Sequence, residues 1–369
     1  MSDINAGTKK TPLYDKHLDL KARIVDFAGF SMPVMYNSIN DEHLLVRNKV
    51  GLFDLSHMGE FIVKGKDAAS FVQKVTVNDV SALNEWQIQY SCMCYPDGGV
   101  VDDLLVYRLP DRYMLVVNAA CLQKDYAWLD ENLAGDVTLE DHSDDTGLIA
   151  IQGPHAQDLF SKVTDYDLDS LSFYWAAEAE ICGHRILFSR TGYTGEDGFE
   201  LYLKPDICHD VWDTLMDAGN EYGVGPVGLG ARDSLRLEMK YLLYGNDMNE
   251  TTNPISAGLG WIVKFDKGDF IGRQPVEQMK ADKPPSRLVA FEMSEKAIPR
   301  KDYGIFAEND EIGRVTSGGY SPCLKKGIGL GYVKRGFTKT GTELSILIRG
   351  KRVSATVVKP PFYKDGSHR

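Results

Sequence analysis

The sequence predicts an α+β protein with mixed or antiparallel sheets, flanking helices and a separate C-terminal β domain. Three observations support this prediction. Strand and helix patterns between about residues 52 and 140 have the order of a split βαβ unit. Residues 280–286 (KADKPPS) are charged and proline-rich, as linkers are. Beyond them, short strand patterns alternate with Gly, Lys and Asp turns and no long helix follows, which indicates a small barrel or sandwich.

The first half of the chain supplies the split βαβ unit and a helix before it. Asn40 is a candidate cap for a helix that runs to about Lys49. Alternating apolar residues then predict strands, and amphipathic spacing predicts helices. The predicted strands are 61–63, 86–94, 98–107 and 113–118, and the predicted helices are 67–75 and 119–133. Short turns join the last three strands into a meander.

The middle of the chain mixes strands and helices. The patterns predict a strand at 147–152, a hairpin at 178–190, and helices at 155–163, 208–221 and 228–243. Gly223, Gly225 and Gly228 match the dinucleotide fingerprint G-x-G-x-x-G, which needs a strand before its first glycine. A helical pattern precedes it here and Pro226 lies inside it, so we interpret these glycines as a helix end and a turn. We therefore expect no nicotinamide site.

Composition excludes several classes of protein. A net charge of −12 argues against a broad nucleic-acid-binding face. No apolar run approaches the length of a membrane span, and the start, MSDINAGTKK, is unlike a secretory or transit peptide. We expect a cytoplasmic protein with no membrane partner, although a processed organellar form stays open.

Cysteines and histidines give no metal-binding pattern. Cys92 and Cys94 form a C-x-C on one face of a strand without zinc-finger spacing. The six cysteines are therefore expected to be reduced core thiols. The eight histidines show no H-E-x-x-H motif, and we predict no metal.

A pair of carboxylates in the middle of a strand is the first candidate site. Asp102 and Asp103 interrupt the apolar run GGVVDDLLVY, and burying a carboxylate without partners costs several kcal/mol. Because side chains alternate along a strand, the two point to opposite faces, with Asp103 on the side of Tyr107. An edge strand with one wet face, or a carboxylate that accepts local backbone hydrogen bonds, is the alternative explanation.

Two glycine-containing segments are further candidates. In RTGYTGEDGFEL (190–201), glycines let the backbone approach a flat ligand, Tyr193 offers a ring for stacking, and Glu200 offers an acceptor. An exposed acidic hairpin loop is the alternative. In GLGARDSLRLE (228–238), Arg232 and Arg236 are four residues apart on one helix face, where they can hold a carboxylate. Pairing of Arg232 with acids elsewhere in the chain stays open.

The segment Ser56-His57-Met58-Gly59-Glu60 resembles a catalytic motif only superficially. Adjacent residues on a strand face opposite ways, so Ser56 and His57 do not form a nucleophile and base. We expect no nucleophilic hydrolysis.

In their order and spacing, these motifs resemble the T-protein family, the aminomethyltransferases of the glycine cleavage system. The resemblance spans nearly the whole chain. The matching segments are VDFAGFSMP (25–33), VGLFDLSHMGEF (50–61), GGVVDDLLVY (98–107), LVVNAA (115–120), SRTGYTGEDGFEL (189–201), GLGARDSLRLE (228–238), YGNDMNETTNP (244–254) and KPPFY (359–363). The chain is too short for the fused flavin domain of dimethylglycine or sarcosine dehydrogenases, so we expect no flavin. It also lacks the K-G-C-[FY]-x-G-[QE] signature of folate-binding iron–sulfur assembly proteins.

The resemblance implies a three-domain cloverleaf around a tetrahydrofolate site. A discontinuous first domain would comprise 1–51 and 141–278, the split βαβ (ferredoxin-like) domain 52–140, and the C-terminal barrel or jelly-roll-like domain 279–369. The implied reaction moves the methylene of the aminomethyl group on the lipoyl arm of H-protein to tetrahydrofolate, releasing ammonia and leaving dihydrolipoyl-H-protein. The P- and L-proteins would be indirect partners.

The resemblance also implies roles for individual residues. Asp103 would be the catalytic carboxylate, Glu200 and Tyr193 would contact the pterin, and Arg232 would hold the glutamate tail. Weaker correspondences imply further residues of the cavity wall, which are Met58, Tyr90, Tyr107, Asn118, Tyr174 and Tyr241. The family often has two tyrosines where this chain has Phe173-Tyr174, so one hydroxyl is missing. A folate-dependent demethylase and a non-catalytic folate-binding scaffold stay open as alternatives.

Overall fold

The computed structural model describes residues 7–368, and within them the chain forms three large β-structures and eight α-helices around several buried cores. None of these helices is both long and apolar enough to cross a membrane. The N-terminal elements are α1 (Tyr14–Asp19), β1 (Arg23–Phe27), β2 (Phe30–Met35), α2 (Ile39–Asn48) and β3 (Gly51–Asp54). The hairpin β1–β2 stands apart as a two-stranded sheet.

A five-stranded antiparallel sheet follows. Its elements are β4 (Gly59–Lys64), α3 (Ala68–Val75), β5 (Ile88–Cys94), β6 (Val100–Arg108), β7 (Tyr113–Val117), α4 (Leu122–Glu131) and β8 (Thr138–Asp141). The strand order is β5-β6-β7-β4-β8. One face packs with α3 and α4 around Phe61, Phe71 and Trp128. The other face contributes Ile62 and Val116 to a core shared with the next sheet.

The chain then returns to the sheet that contains β3. The elements are β9 (Gly147–Gln152), α5 (Ala156–Phe160), β10 (Ala176–Ile181), β11 (His184–Ser189), β12 (Gly198–Leu203), α6 (Cys208–Ala218), β13 (Gly225–Pro226) and α7 (Leu229–Glu238). The strand order is β10-β11-β12-β9-β3-β13, in which only β13 is parallel to its neighbour. The five-stranded unit is therefore inserted between β3 and β9.

The C-terminal part is a closed six-stranded barrel. Of the two predicted alternatives, a barrel or a sandwich, the barrel is therefore correct. Helix α8 (Arg273–Asp282) precedes it. The strands are β14 (Ser286–Met293), β15 (Gly304–Ala307), β16 (Asp310–Ser321), β17 (Lys326–Lys334), β18 (Glu343–Ile348) and β19 (Lys351–Val358). The barrel has its own core around Phe291, Ile305 and Ile346. As expected, no α-helix lies beyond residue 286 in the described chain.

Four local predictions need correction. Helix α2 is capped by Ser38, whose hydroxyl accepts from the Asp41 amide, so Asn40 lies inside the first turn. The predicted linker is shorter, because α8 extends to Asp282. Helix α7 ends at Glu238, well before residue 243. The six cysteines are free, but the core prediction fails for Cys182, which is exposed in the turn between β10 and β11, and for Cys323, which is only half-buried.

Candidate functional site

A cavity of about 670 Å³ collects the predicted site residues from elements far apart in the chain. Its size suits a small-molecule ligand, for which sites of about 300–1,000 Å³ are usual. Nine of the ten predicted residues line it, and these are Met58, Tyr90, Asp103, Asn118, Tyr174, Tyr193, Glu200, Arg232 and Tyr241. The tenth, Tyr107, does not.

Asp103 lies on the cavity wall, held by two donors. Strand β6 runs between β5 and β7. Asp103 pairs with Cys92 of β5, and the pairing with β7 begins at the next residue, Leu104. The Tyr90 hydroxyl donates to Asp103 Oδ2 (2.9 Å), and Asn118 Nδ2 donates to Asp103 Oδ1 (3.0 Å). Burial and then the charge of Asp102 raise the pKa of Asp103 to about 7, although both hydrogen bonds act in the opposite direction. This carboxyl therefore changes its protonation state near neutral pH.

Asp102 is fully buried and lies outside the cavity lining, as the strand alternation predicts. The backbone N–H and the side-chain amide of Asn118 both donate to it. Carboxylate oxygens of Asp102 and Asp125 and the Cys121 sulfur lie within 4.8 Å of one another. Burial and then Asp125 raise the pKa of Asp102 well above its ordinary value, and burial raises the pKa of Asp125 to about 6. Because the two carboxyls interact, their protonation belongs to the pair rather than to either residue.

Glu200 and Tyr107 belong to one hydrogen-bonded chain, which explains why Tyr107 is not part of the wall. Thr191 Oγ1 donates to Glu200 Oε2 and lies 2.6 Å from Ser189 Oγ. The Tyr107 hydroxyl bonds to Ser189 Oγ (3.0 Å) and to the Tyr202 hydroxyl (2.7 Å). Tyr107 shares a strand face with Asp103, but its ring is buried between the two sheets. It supports Glu200 from behind, and our prediction of Tyr107 as cavity wall was wrong.

The two arginines of α7 have different surroundings. The Arg232 guanidinium lies 4.7 Å from the centre of the Tyr193 ring, which itself stacks on Tyr241. No described residue gives Arg232 a hydrogen-bond acceptor or an ion-pair partner. Arg236 is buried and already paired with Asp233, Asp247 and the Ser317 hydroxyl. Of the two arginines, only Arg232 is available to a ligand. Arg236 shares its helix face, but its guanidinium is already paired within the protein.

Family models and curated relatives both match this chain over most of its length. Residues 13–267 match the family model described as the GCVT N-terminal domain, and residues 287–364 match the glycine cleavage T-protein C-terminal barrel domain. Aminomethyltransferases of Bacteroides fragilis and Porphyromonas gingivalis are each 50% identical over 360 and 361 residues, covering 96% of this chain and 100% of theirs. The chain belongs to the glycine cleavage T-protein family. It is an enzyme, an aminomethyltransferase of the glycine cleavage system.

A solved T-protein shares the whole fold. The crystal structure of glycine cleavage system aminomethyltransferase T from Bartonella henselae superposes with a TM-score of 0.92 at 32% identity, covering 98% of this chain and 99% of that one. The arrangement of an inserted sheet, a six-stranded sheet and a terminal barrel is therefore the T-protein fold.

Sequence reasoning missed several residues of this T-protein cavity. Trp261 is 65% exposed and stacks on Tyr90 with the ring centres 6.2 Å apart, so it marks the mouth. Lys240 and Thr191 also line the cavity, as does Phe173, which the sequence analysis named only for its missing hydroxyl. A tryptophan that stays exposed is the signal that would have indicated Trp261, but exposure is not readable from a single sequence.

The segment 56–60, which contains His57 and Glu60, is largely buried beside the cavity. Ser56 Oγ accepts from the Leu148 amide rather than pairing with His57. Burial and then the charge of Arg232 lower the pKa of His57 to about 4, so its ring is neutral. Neither carboxyl oxygen of Glu60 has a partner among residues 7–368, and burial raises the pKa of Glu60 well above its ordinary value. Both observations fit a structural segment without a nucleophile.

Two groups of side chains contain atoms of the types that bind metal ions. The spacing of these residues in the sequence did not indicate either group. One comprises His43, Glu238 and Cys323, and the other is the Asp102 group described above. Each already holds a cation, because Arg47 donates to Glu238 and Lys124 Nζ lies 2.6 Å from Asp125 Oδ1.

Proposed function

We propose that this cavity binds tetrahydrofolate and is the place where the aminomethyl group of H-protein is transferred. The methylene between sulfur and nitrogen on the lipoyl arm would pass to folate, giving 5,10-methylene-tetrahydrofolate, ammonia and dihydrolipoyl-H-protein. One observation carries the proposal: Asp103 is held by Tyr90 and Asn118 on the wall of a cavity large enough for folate. The lipoylated H-protein is then the direct partner, with the P- and L-proteins indirect and the cytoplasm as the proposed compartment.

The walls suit the parts of the folate molecule. The Glu200 carboxylate, oriented by Thr191, can accept hydrogen bonds from the pterin N–H groups. The stacked rings of Tyr193 and Tyr241 offer a flat apolar surface. The unpaired Arg232 guanidinium provides a bidentate donor for a carboxylate of the glutamate tail.

The reaction needs a fixed negative charge and two proton transfers. Folate N5 forms a bond to the methylene carbon of the lipoyl arm as the bond from that carbon to the amino nitrogen breaks and ammonia leaves. Folate N10 then displaces the sulfur from the same carbon. The two protons lost by N5 and N10 end on ammonia and on the thiol, so atoms balance and no electrons are transferred. The scheme thus needs neither a flavin nor a nicotinamide. An Asp103 anion stabilises the cationic iminium-like carbon, an effect worth about 10²–10³ in rate for comparable groups.

The test measures ammonia release from aminomethyl-loaded H-protein with tetrahydrofolate. The wild-type protein should release ammonia and form methylene-tetrahydrofolate, and Asp103→Asn should be slower by about two orders of magnitude. Omitting lipoylated H-protein and supplying an N-methyl or sulfonium substrate tests for a demethylase. Activity with that substrate alone, or folate binding without any turnover, would refute the proposal.

A further inference from the structure

A buried carboxyl oxygen on helix α4 has no hydrogen-bond donor. Asp125 is fully buried in the first turn of α4, and its Oδ2 has no partner in the part of the chain that the structure describes. Leaving a buried polar atom unpaired costs free energy. A carboxyl oxygen of Asp102 lies within 4.8 Å of one of Asp125. A proton on one of the two carboxyls supplies the missing donor, because a protonated carboxyl donates one hydrogen bond.

Lys124 makes the two carboxyls of this pair unequal. Its Nζ lies 2.6 Å from Asp125 Oδ1 and also donates to the Val101 carbonyl. The same ammonium lies 4.6 Å from the centre of the Tyr244 ring, so the half-buried side chain is held from two sides. An adjacent positive charge favours the ionised form of a carboxyl. The contact therefore favours the negative charge on Asp125 and the proton on Asp102.

The pKa values of the pair agree with this assignment. Burial and then Asp125 raise the pKa of Asp102 well above its ordinary value. Burial raises the pKa of Asp125 only to about 6, because the hydrogen bond with Asp102 and the charge of Lys124 both act in the opposite direction. Asp125 therefore ionises at a lower pH than Asp102.

Asn118 connects the pair to the cavity wall. Its side-chain amide donates to Asp102 Oδ1 (2.9 Å) and to Asp103 Oδ1 (3.0 Å), and its backbone N–H donates to Asp102 Oδ2. Asp102 and Asp103 are neighbours in the chain and share this donor. A charge on Asp102 makes a charge on Asp103 less favourable. The position of the buried proton therefore affects the carboxyl in the cavity.

Other titratable groups face the pair and Asp103 from several elements. Apart from Lys124 they are thiols and phenols, which are Tyr90, Cys92, Cys121, Tyr174, Tyr193 and Tyr244. Burial raises the pKa of each, and a hydrogen bond with Cys94 raises that of Cys92 even more. These groups are therefore neutral at neutral pH, and Lys124 is the cation among them.

We propose that Lys124 and Asp125 are positioning residues that keep the buried proton on Asp102, so that Asp103 ionises without a second negative charge beside it. The inference rests on the proposed function, which needs the Asp103 anion. Lys124 and Asp125 both lie outside the cavity lining and act on the reaction only through Asp102. Their removal should therefore shift the pH dependence of the reaction and leave its rate at high pH unchanged.

The experiment measures kcat/KM for ammonia release by the full-length protein from aminomethyl-loaded H-protein with tetrahydrofolate, between about pH 5.5 and 9.5. Asp125→Asn places an amide N–H against Asp102, which favours the Asp102 anion. The acid limb should move up by about one pH unit, so that the rate at pH 6.5 falls about tenfold while rates at pH 9 agree within about twofold. The matched control is Asp130→Asn, an exposed acid on the same helix, which should leave the limb in place.

Lys124 provides a second test that leaves both buried carboxyls intact. Lys124→Gln removes the charge that favours the Asp125 anion, so it should move the limb in the same direction and lower the rate at pH 6.5 about threefold. Lys124→Arg keeps the charge and should keep the wild-type limb. In an Asp102→Asn background, Asp125→Asn should no longer move the limb upward, because the pair has lost the carboxyl that holds the proton.

Three results would overturn the inference. The first is an unmoved limb in Asp125→Asn, or in Lys124→Gln where the first variant does not fold. The second is a rate lowered equally at every pH together with a lower melting temperature, which is the result of a structural role. The third is an upward shift that persists in the Asp102→Asn background. If the wild-type protein releases no ammonia at any pH, the proposed function itself fails, and that outcome is distinct from the others.

Discussion

The Tyr90 hydroxyl donates to Asp103 Oδ2 across 2.9 Å, linking β5 and β6 at the cavity wall. The bond favours the charged carboxylate, whereas burial and the Asp102 charge favour the neutral acid. The balance raises the pKa of Asp103 to about 7. Because the proposed chemistry needs the anion, this one contact adjusts how much active enzyme is present at neutral pH.

The first prediction removes this hydroxyl. In the wild-type protein kcat/KM should rise with pH through about 7, as Asp103 loses its proton. Tyr90→Phe should move that limb to higher pH and lower the rate at pH 6.5 by about tenfold, since a hydrogen bond to a charged group contributes ~1.5 kcal/mol. A pH–rate profile for each protein measures this. An unshifted limb would show that Asp103 is not the titrating group.

The second prediction separates the two arginines of α7. Arg232→Ala should weaken tetrahydrofolate binding by about 1.5–3 kcal/mol and leave the melting temperature nearly unchanged, because Arg232 has no protein acceptor. Arg236→Ala should instead reduce the free energy of unfolding by about 3–5 kcal/mol, because it leaves buried Asp247 uncompensated. Calorimetry and denaturant titration on both variants provide the comparison. Unchanged folate affinity in Arg232→Ala would remove it from the site.

The sequence predicts this site unevenly, for physical reasons. Strand alternation is a strict geometric rule, so it assigned Asp103 and Asp102 to opposite faces correctly. Alternation says nothing about depth, and Tyr107 was therefore placed in the cavity when it lies behind it. The end of α7 was missed because the residues around Lys240 favour helix, and tertiary packing imposes its positive φ. The ligand itself was indicated by family resemblance, not by residue pattern.

The third prediction concerns Glu60. Its folded pKa is raised, so the folded protein holds a proton that the unfolded chain releases, and stability falls as pH rises above about 4.5. Glu60→Met, of similar length, should increase the free energy of unfolding by about 1–3 kcal/mol at pH 8 and by less at pH 4. The control is Glu140→Met, which removes a half-buried carboxylate that pairs with Lys64 and His142 and should change stability little. Denaturant titrations at both pH values decide it, and a loss of stability at pH 8 would show that the carboxylate is satisfied.

The last prediction compares Asp103 with Asp102. Asp103→Asn keeps the shape, and both contacts can survive: the amide oxygen accepts from Asn118, and the amide N–H donates to the Tyr90 hydroxyl, which can also accept. The variant should therefore fold and bind folate while ammonia release slows by about 10²–10³. The raised pKa of Asp103 means that the wild-type charge costs stability as pH rises from about 4 to 7, so this variant should melt no lower than wild type at pH 8.

Asp102→Asn should instead lose stability and keep its activity. Asp102 accepts two hydrogen bonds from Asn118, one on each oxygen, and an amide can accept only at one. It should lose about 1–3 kcal/mol of stability and retain chemistry, since Asp103 keeps its charge. Melts and single-turnover ammonia release on the same preparations test both claims. An inactive Asp102→Asn beside an active Asp103→Asn would assign the catalytic charge to the buried carboxyl pair, and two active variants would leave the carboxylates structural.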